Sequence, residues 1–256
     1  MGVKFKTYKK ESEYSYALGA SVAVELLKNR PDDCLGVICS SECSDKEGII
    51  ESLCKKHKIP VEQNQKLINM LSQKENCHVI AAFKKQNYVL SKDKSHVVLD
   101  QPSDMGNLGA IMRSCAGFGI EELAIIGNGA DANNPKTIRA SMGAFFHMSF
   151  AYFKSIGSYL DMYQNNREIY TFMLKANHTI ADLTQDKDNI RSVIFGNEAS
   201  GLDYDTYKNI GKSVRIEHSD KIDSLALPIA VSIALFSLQA NRQFMPINKL
   251  RMDKFK

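Results

Sequence analysis

Two stretches of this chain decide its fold: SVIFGNEASGLDYD (residues 192–205) and SVRIEHSDKIDSLALPIAVSIALFSL (residues 213–238). Each contains a short, largely apolar run, at residues 193–195 and 214–216, that ends abruptly at a glycine or a polar cluster. Such runs are typical of buried parallel strands, and open α/β sheets bind their ligands at the carboxyl ends of these strands. The loops that follow the two runs are therefore the candidate site.

These loops carry few side chains that are able to do chemistry. The first loop places Glu198 two residues after Gly196, and the second places Ser224 and Leu225 ahead of a long apolar helix. Pro228 suits the first turn of that helix, because its missing N–H group would be unpaired there in any residue. We therefore expect Leu225 to lie in irregular backbone whose N–H and C=O groups are free to bind a ligand.

Length and composition set only broad bounds. With 256 residues, 44% of them hydrophobic, the chain is long enough for one large domain or two small ones. No run approaches the ~20 apolar residues of a membrane span, and the N-terminus lacks the apolar core of a signal peptide, so we expect a cytoplasmic protein. The six cysteines and six histidines show neither CxxC nor i, i+4 spacing, which predicts reduced, structural thiols and no metal site.

Charge is distributed unevenly along the chain. Residues 1–95 hold 16 Lys and Arg against 12 Asp and Glu, whereas residues 96–256 hold 17 of each kind. The excess of positive charge in residues 1–95 is typical of a unit that binds nucleic acid, or of a surface that faces solvent. Charge alone favours the solvent-facing surface. The polar sequence SKDKS (residues 91–95) separates the two parts. We therefore divide the chain into an N-terminal α/β unit (residues 1–91), a linker (92–96) and a C-terminal unit (97–256).

Strand and helix patterns alternate downstream of the linker, which predicts an α/β unit with a parallel sheet. The clearest helix places Leu108, Ile111, Met112 and Cys115 on one face. Upstream we predict helices at residues 17–27 and 48–57 and strands at 35–39, 79–83 and 88–90. No GxGxxG, GxxxxGK[ST] or GxSxG motif is present, which disfavours dinucleotide, P-loop and serine-hydrolase chemistry.

Four separated motifs then resemble, in order and spacing, those of the SpoU, or TrmH-type, RNA 2′-O-ribose methyltransferases. They are DQPSDMGNLGAIMRSCAGFG (residues 100–119), NPKTIRASMGAFF (134–146), IFGNEASGL (194–202) and the segment 216–238. The resemblance implies a dimeric, SPOUT-type α/β domain with a C-terminal trefoil knot that binds S-adenosylmethionine. The N-terminal unit resembles the small L30e-like RNA-binding domain of many members, through CHVIAA (residues 77–82).

The resemblance also assigns roles to residues of this chain, in a reaction that methylates the ribose of structured rRNA or tRNA. The residues implied for catalysis are Arg113, Asn107, Glu198 and Ser224. The adenine of the cofactor would be held by backbone groups around Gly196, Ile216 and Leu225. The residues that we expect to contact RNA are Arg139, Ser141, Lys84 and Lys85.

Physical chemistry leaves several of these roles open. The resemblance implies that Arg113 acts as the base for the ribose hydroxyl or stabilises the developing oxyanion. A guanidinium is almost always protonated, which favours a clamp on a phosphate or an oxyanion. Periodicity alone also allows a surface arginine. Asn107 would orient Arg113 or the ribose. Glu198 would anchor an arginine, from this subunit or another, or else complement a helix dipole. Ser224 is equally suitable as a capping or turn residue.

One departure from the family pattern bears on activity. The last motif of the family usually reads Ser-Leu-Asn, whereas this chain has Ser224, Leu225 and Ala226. The change from an amide to a methyl group removes up to four hydrogen-bonding positions. Either the backbone does the essential binding, or the protein is an RNA-binding protein on the same scaffold that has lost methylation.

Overall fold

The computed structural model of the protein describes residues 5–41, 48–72, 77–183 and 189–239, which form two β-sheets. The N-terminal sheet has the strand order β1-β4-β2-β3, with β4 antiparallel to both neighbours and β3 parallel to β2. Its strands are β1 (Tyr14–Leu18), β2 (Cys34–Cys39), β3 (Val61–Gln63) and β4 (Val79–Lys84). The helices of this part are α1 (Ala20–Asn29), α2 (Ile49–His57) and α3 (Gln65–Leu71).

The C-terminal sheet is parallel throughout its described strands, in the order β7-β6-β5-β10-β8-β11-β9. Its strands are β5 (His96–Asp100), β6 (Glu122–Ile126), β7 (Ser149–Phe153), β8 (Glu168–Phe172), β9 (His178–Thr179), β10 (Arg191–Phe195) and β11 (Lys212–Arg215). The helices are α4 (Met105–Gly117), α5 (Pro135–Ala140), α6 (Ile156–Tyr163), α7 (Tyr204–Tyr207) and α8 (Leu227–Gln239). The predicted α/β class with a parallel C-terminal sheet is confirmed, and the trefoil knot stays a prediction.

Strand β10 lies near the middle of this sheet, between β5 and β8, and every one of its residues is buried. Val193 and Phe195 pack in the cluster that includes α4 and α8, while Ile194 packs on the opposite face with α6. Burial on both faces explains why the sequence shows an apolar run rather than an alternating pattern.

The N-terminal predictions were less accurate. The helix predicted from residue 17 begins at Ala20, because the preceding residues, through Leu18, form strand β1. Residues 88–90 belong to no strand, and β1, β3 and α3 were not predicted. The three missed elements are short, with five, three and seven residues, and pattern reasoning is weakest for short elements.

The predicted linker (residues 92–96) makes hydrogen bonds with the C-terminal unit. His96 already belongs to β5, and its Nε2 atom lies 2.8 Å from the carbonyl oxygen of Ser91. Arg167 donates hydrogen bonds to the carbonyl oxygens of Lys92, at 3.1 Å, and Lys94, at 3.3 Å. Burial lowers the pKa of His96 to about 3, so the ring is neutral here at physiological pH.

A second connection joins the two sheets through the guanidinium group of Arg30. Its Nε atom donates to the carbonyl oxygen of Phe146 at 3.0 Å, and its terminal nitrogens donate to those of Phe145 and Met148 and to the hydroxyl of Tyr88. Apolar residues of both parts also share one core cluster. The N-terminal unit therefore packs directly against the C-terminal one.

None of the described helices is long and apolar enough to cross a membrane. The described part of the chain likewise contains no group of three or more His, Cys, Asp or Glu side chains that could hold a metal ion. Five cysteines are free thiols, and the sixth, Cys43, lies outside the described residues.

Helix α4 lies close to helix α5 because a glycine faces the contact. A Cβ atom at Gly109 would lie 2.5 Å from the carbonyl oxygen of Thr137 and 2.6 Å from the Cβ atom of Ala140. A larger residue would push the two helices apart. Because α4 also carries two of the predicted catalytic residues, this contact helps to position the site.

We expect Gly109→Ala to lower the free energy of unfolding by about 1–3 kcal/mol, because the added methyl group overpacks a backbone contact. The control is Gly117→Ala on the same helix, where a Cβ atom would meet no heavy atom within 4 Å. That change should be neutral or slightly stabilising. Urea unfolding measures both variants, and equal effects would contradict the close contact.

Candidate functional site

A cavity of about 340 Å³ opens at the carboxyl edge of the C-terminal sheet. It is lined by the loops that follow β8, β10 and β11 and by the chain leading into α8. The lining includes Gly196, Ile216 and Leu225, the three residues implied for cofactor binding, and also Glu198 and Ser224. The structure thus brings together residues from both of the stretches, 192–205 and 213–238, with which the sequence analysis began.

The loop after β10 folds back on itself around a glycine. A Cβ atom at Gly196 would lie 2.0 Å from the carbonyl carbon of Gly201, so only glycine fits. The N–H group of Gly201 donates to the carbonyl oxygen of Asn197 at 2.9 Å, and the Asn197 side chain donates to the carbonyl oxygen of Gln101 at 2.7 Å. The loop is therefore fixed both internally and to the end of β5.

The carboxylate of Glu198 joins this loop to the start of α4. One oxygen accepts from the Ser103 N–H group at 2.9 Å and from its hydroxyl at 2.8 Å. The other accepts from the Asp104 N–H group and the Asn107 side chain, both at 3.2 Å. Burial raises the pKa of Glu198, but these hydrogen bonds outweigh it and hold the pKa below its ordinary value.

Within this chain, Glu198 fits the interpretation as an acid that complements a helix dipole, and an arginine from a second subunit stays a prediction. The described contacts place it at the N-terminus of a helix, where a negative charge is favourable, rather than beside an arginine. The side chain of Asn107 donates to Glu198 and makes no hydrogen bond with Arg113 among the described residues, so it does not orient Arg113 directly.

Arg113 lies on α4, six residues beyond Asn107, and its side chain is exposed. It does not line the cavity, and within the described ranges its guanidinium group makes no hydrogen bond or ion pair. The exposed position leaves the charge available to a bound molecule.

The second half of the cavity is built from irregular backbone before α8. Ala226 holds the N-cap position, since its carbonyl oxygen accepts hydrogen bonds from the N–H groups of Ile229, at 2.9 Å, and Ala230, at 3.0 Å. Leu225 and Ser224 take part in no hydrogen bond among the described residues. Ser224 is therefore not the cap of α8, and Leu225 has the free backbone groups that we expected.

A family model described as the SpoU rRNA Methylase family matches residues 94–236. The chain therefore belongs to the SpoU rRNA Methylase family. The match begins two residues before β5 and ends within α8, so it spans the whole candidate site.

Curated relatives of this SpoU chain are distant. An uncharacterized tRNA/rRNA methyltransferase of Synechocystis is 28% identical over 148 residues, which cover 57% of this chain and 53% of the relative. The 23S rRNA (guanosine(2553)-2'-O)-methyltransferase of Bacillus subtilis is 24% identical over 151 residues, 59% of this chain and 60% of the relative. The chain thus spans little more than half the length of these relatives.

A solved structure shows the same fold over most of the chain. The AdoMet-bound rRNA methyltransferase of Sinorhizobium meliloti superposes with a TM-score of 0.76 at 22% identity, covering 90% of this chain and 88% of that one. A match over that share of the chain includes residues of the N-terminal sheet as well as the SpoU region.

The residues predicted to contact RNA have different surroundings in this SpoU chain. Lys84 is exposed and Arg139 is half-buried. Lys85 donates to the carbonyl oxygen of Lys10 at 2.7 Å, and burial lowers its pKa. The prediction for Ser141 was wrong, because its fully buried hydroxyl donates to the carbonyl oxygen of Ile138 at 2.7 Å.

Two residues of the site were missed at the level of sequence. Ser103 binds Glu198 through both its N–H group and its hydroxyl, and Asn197 holds the loop after β10. A signal existed for each. Ser103 precedes Asp104, the N-cap residue of α4, and Asn197 follows a glycine at a strand end, where asparagine commonly forms local turns.

The hydrogen bonds of Glu198 predict a pH-dependent contribution to stability. At neutral pH, Glu198→Gln should lower the free energy of unfolding by about 1 kcal/mol, because an amide N–H₂ group then faces donors. The folded pKa of Glu198 is lower than the ordinary value. The stabilisation is therefore fully present above the ordinary carboxyl pKa and is lost as the pH falls through the folded value.

Urea unfolding of both proteins across acidic and neutral pH measures this difference. The control is Glu217→Gln, a change of the same type in the loop after β11, where the side chain is exposed and has no partner among the described residues. A loss of stability for Glu198→Gln that is no larger than the control, or constant with pH, would contradict the role of the carboxylate.

Proposed function

We propose that this protein transfers a methyl group from S-adenosylmethionine to the 2′-hydroxyl of a ribose in structured rRNA or tRNA. The observation that carries the proposal is the set of hydrogen bonds that joins the cavity to helix α4. The cavity loop of β10 is fixed through Glu198 to the helix that carries Asn107 and Arg113. The B. subtilis relative, named as a 2'-O-methyltransferase of 23S rRNA, supports the same reaction.

The cavity fits the adenosyl part of this cofactor. Gly196 brings backbone close enough to exclude any side chain, and Leu225 offers N–H and C=O groups that nothing else in the described chain uses. Ile216 supplies an apolar wall from the loop after β11. A mostly apolar cavity with a few polar backbone groups is a typical small-molecule site.

The bound cofactor supplies an electrophilic methyl group on a sulfonium. The residues of the chain then have to position the ribose hydroxyl and stabilise the negative charge that develops on its oxygen. Arg113 is charged and free, so it suits a clamp on that oxygen or on a neighbouring phosphate better than the role of a base. Asn107 shares the helix with Arg113 and orients the ribose. Ser224, at the rim of the cavity, is a further contact.

RNA binding is assigned to the N-terminal unit (residues 1–91), as an L30e-like domain joined by the linker to the catalytic unit (97–256). The unit carries the positive excess of the chain and packs on the C-terminal unit through Arg30. Exposed Lys84 would bind phosphate groups. Arg139, half-buried at the end of α5, and Lys85 would add to the same surface.

A homodimer through the C-terminal unit is part of the proposal. Ile229 and Phe236 are exposed by 51% and 56%, and they are seven residues apart on α8, which places them on one face. A second copy would cover this apolar face. With RNA as the substrate, we expect the protein in the cytoplasm.

One observation favours a second function, an RNA-binding protein that no longer methylates. Ala226 stands where the family usually has asparagine, so the side-chain hydrogen bonds of that amide are absent. The two functions differ in cofactor binding and turnover.

Calorimetric titration tests the cofactor site first. S-adenosylmethionine and S-adenosylhomocysteine should both bind with micromolar affinity, about 8 kcal/mol, because the backbone groups of the cavity are intact. Gly196→Ala should lose binding, since its Cβ atom would displace the loop. Gly157→Ala on α6, where the nearest heavy atom is at 3.6 Å, should bind as the unmodified protein does. A folded chain that binds RNA but neither ligand would support the second function.

Arg113→Ala should reduce methyl transfer to the substrate RNA by about 100-fold or more, because the developing charge loses its stabilising partner. Cofactor affinity and stability should not change, since Arg113 lies outside the cavity and is exposed. Arg113→Lys should restore part of the rate, because it keeps the charge without the planar fork. Full activity in the alanine variant would remove Arg113 from the mechanism.

A further inference from the structure

His218 is a cavity residue to which the proposed function assigns no role. It lies two residues after Ile216 in the loop that follows β11, and its side chain is half-buried against the cavity. It brings an imidazole ring to a region that is otherwise lined mainly by apolar groups and backbone.

The hydrogen bond of one ring nitrogen fixes the chemistry of the other. Nδ1 lies 3.1 Å from the carbonyl oxygen of Ser219. A carbonyl oxygen only accepts, so Nδ1 must carry the hydrogen atom. In the neutral ring, Nε2 then has a lone pair and no hydrogen atom, which makes it an acceptor.

This acceptor has no partner within the described chain. Nε2 of His218 is shielded from solvent and receives no hydrogen bond from any described residue. A buried acceptor without a donor destabilises the folded state, and buried polar groups of this kind usually have a functional reason. While the ring is neutral, the partner that Nε2 lacks is a hydrogen-bond donor, which an ionised phosphate or carboxylate group is not.

We propose that Nε2 of His218 accepts a hydrogen bond from the 6-amino group of the adenine of the cofactor. This inference rests on the proposed function, which already places the adenine beside Ile216 in the same loop. An amino group on an aromatic ring is a donor that fits an apolar cavity.

The same shielding argues against a role for His218 as the base of the reaction. A base has to reach the hydroxyl of an RNA molecule that approaches from solvent. A buried nitrogen in the cavity wall instead suits the recognition of a small molecule that enters the cavity. His218 is therefore a specificity-determining residue for the cofactor and not a catalytic one.

The test compares two ligands with three proteins by calorimetry, at about pH 8, where ordinary imidazole rings are neutral. The ligands are S-adenosylhomocysteine and S-inosylhomocysteine, in which a carbonyl oxygen replaces the 6-amino group. The proteins are the unmodified chain, His218→Asn and His218→Gln. The asparagine amide keeps a donor near Nδ1 for Ser219 but lacks Nε2, whereas the glutamine amide places its oxygen near Nε2.

The unmodified protein should prefer S-adenosylhomocysteine, and this preference should fall about tenfold in His218→Asn, because the acceptor is lost. His218→Gln should keep most of the preference. Thermal unfolding of the variants checks that the loop still folds. The same preference in His218→Asn as in the unmodified protein would overturn the inference while leaving the proposed function intact. Failure of the unmodified protein to bind S-adenosylhomocysteine would overturn both.

Discussion

The site depends on one carboxylate at the N-terminus of a helix. Glu198 belongs to the loop after β10, yet its four hydrogen bonds all go to Ser103, Asp104 and Asn107 at the start of α4. A negative charge is favourable at this end of the helix, where free N–H groups point outward. The cavity loop and the helix that carries Arg113 are thereby held as one body. A cofactor bound to the loop would meet the helix in a fixed geometry, which is what methyl transfer requires.

Docking of the N-terminal unit extends this fixed geometry to the proposed RNA surface. The hydroxyl of Tyr8 donates to Asp131, which lies in the loop after β6, and Lys85 packs on the ring of Tyr8 with its Nζ atom 4.7 Å from the ring centre. In a parallel sheet the loops after β6 and β10 lie at the same edge. Lys85 and the cavity therefore lie toward the same edge of the C-terminal sheet, which is the arrangement that the proposed RNA binding requires.

Sequence patterns predicted the C-terminal sheet better than the N-terminal one for a physical reason. Strands such as β6 and β10 are buried on both faces and contain apolar runs, whereas β1 (YSYAL) includes a buried serine and is separated from α1 by one residue. The strand ends predicted the loops that contain Gly196 and Leu225, and the resemblance to the family implied their role in cofactor binding. The partners of Glu198 could not be predicted, because Ser103 is 95 residues away in the chain and meets it only when β5 and β10 pair.

The position of Ala226 bears on whether the protein still methylates RNA. The structure places this residue at the N-cap of α8, with its carbonyl oxygen accepting the first hydrogen bonds of the helix. Alanine in place of asparagine at an N-cap costs about 1 kcal/mol of helix stability. Leu225, one residue earlier, lines the cavity, and its backbone N–H and C=O groups make no hydrogen bond among the described residues. The substitution therefore removes a helix cap while leaving the backbone of the cofactor site in place, which favours an active enzyme over a scaffold that has lost its chemistry.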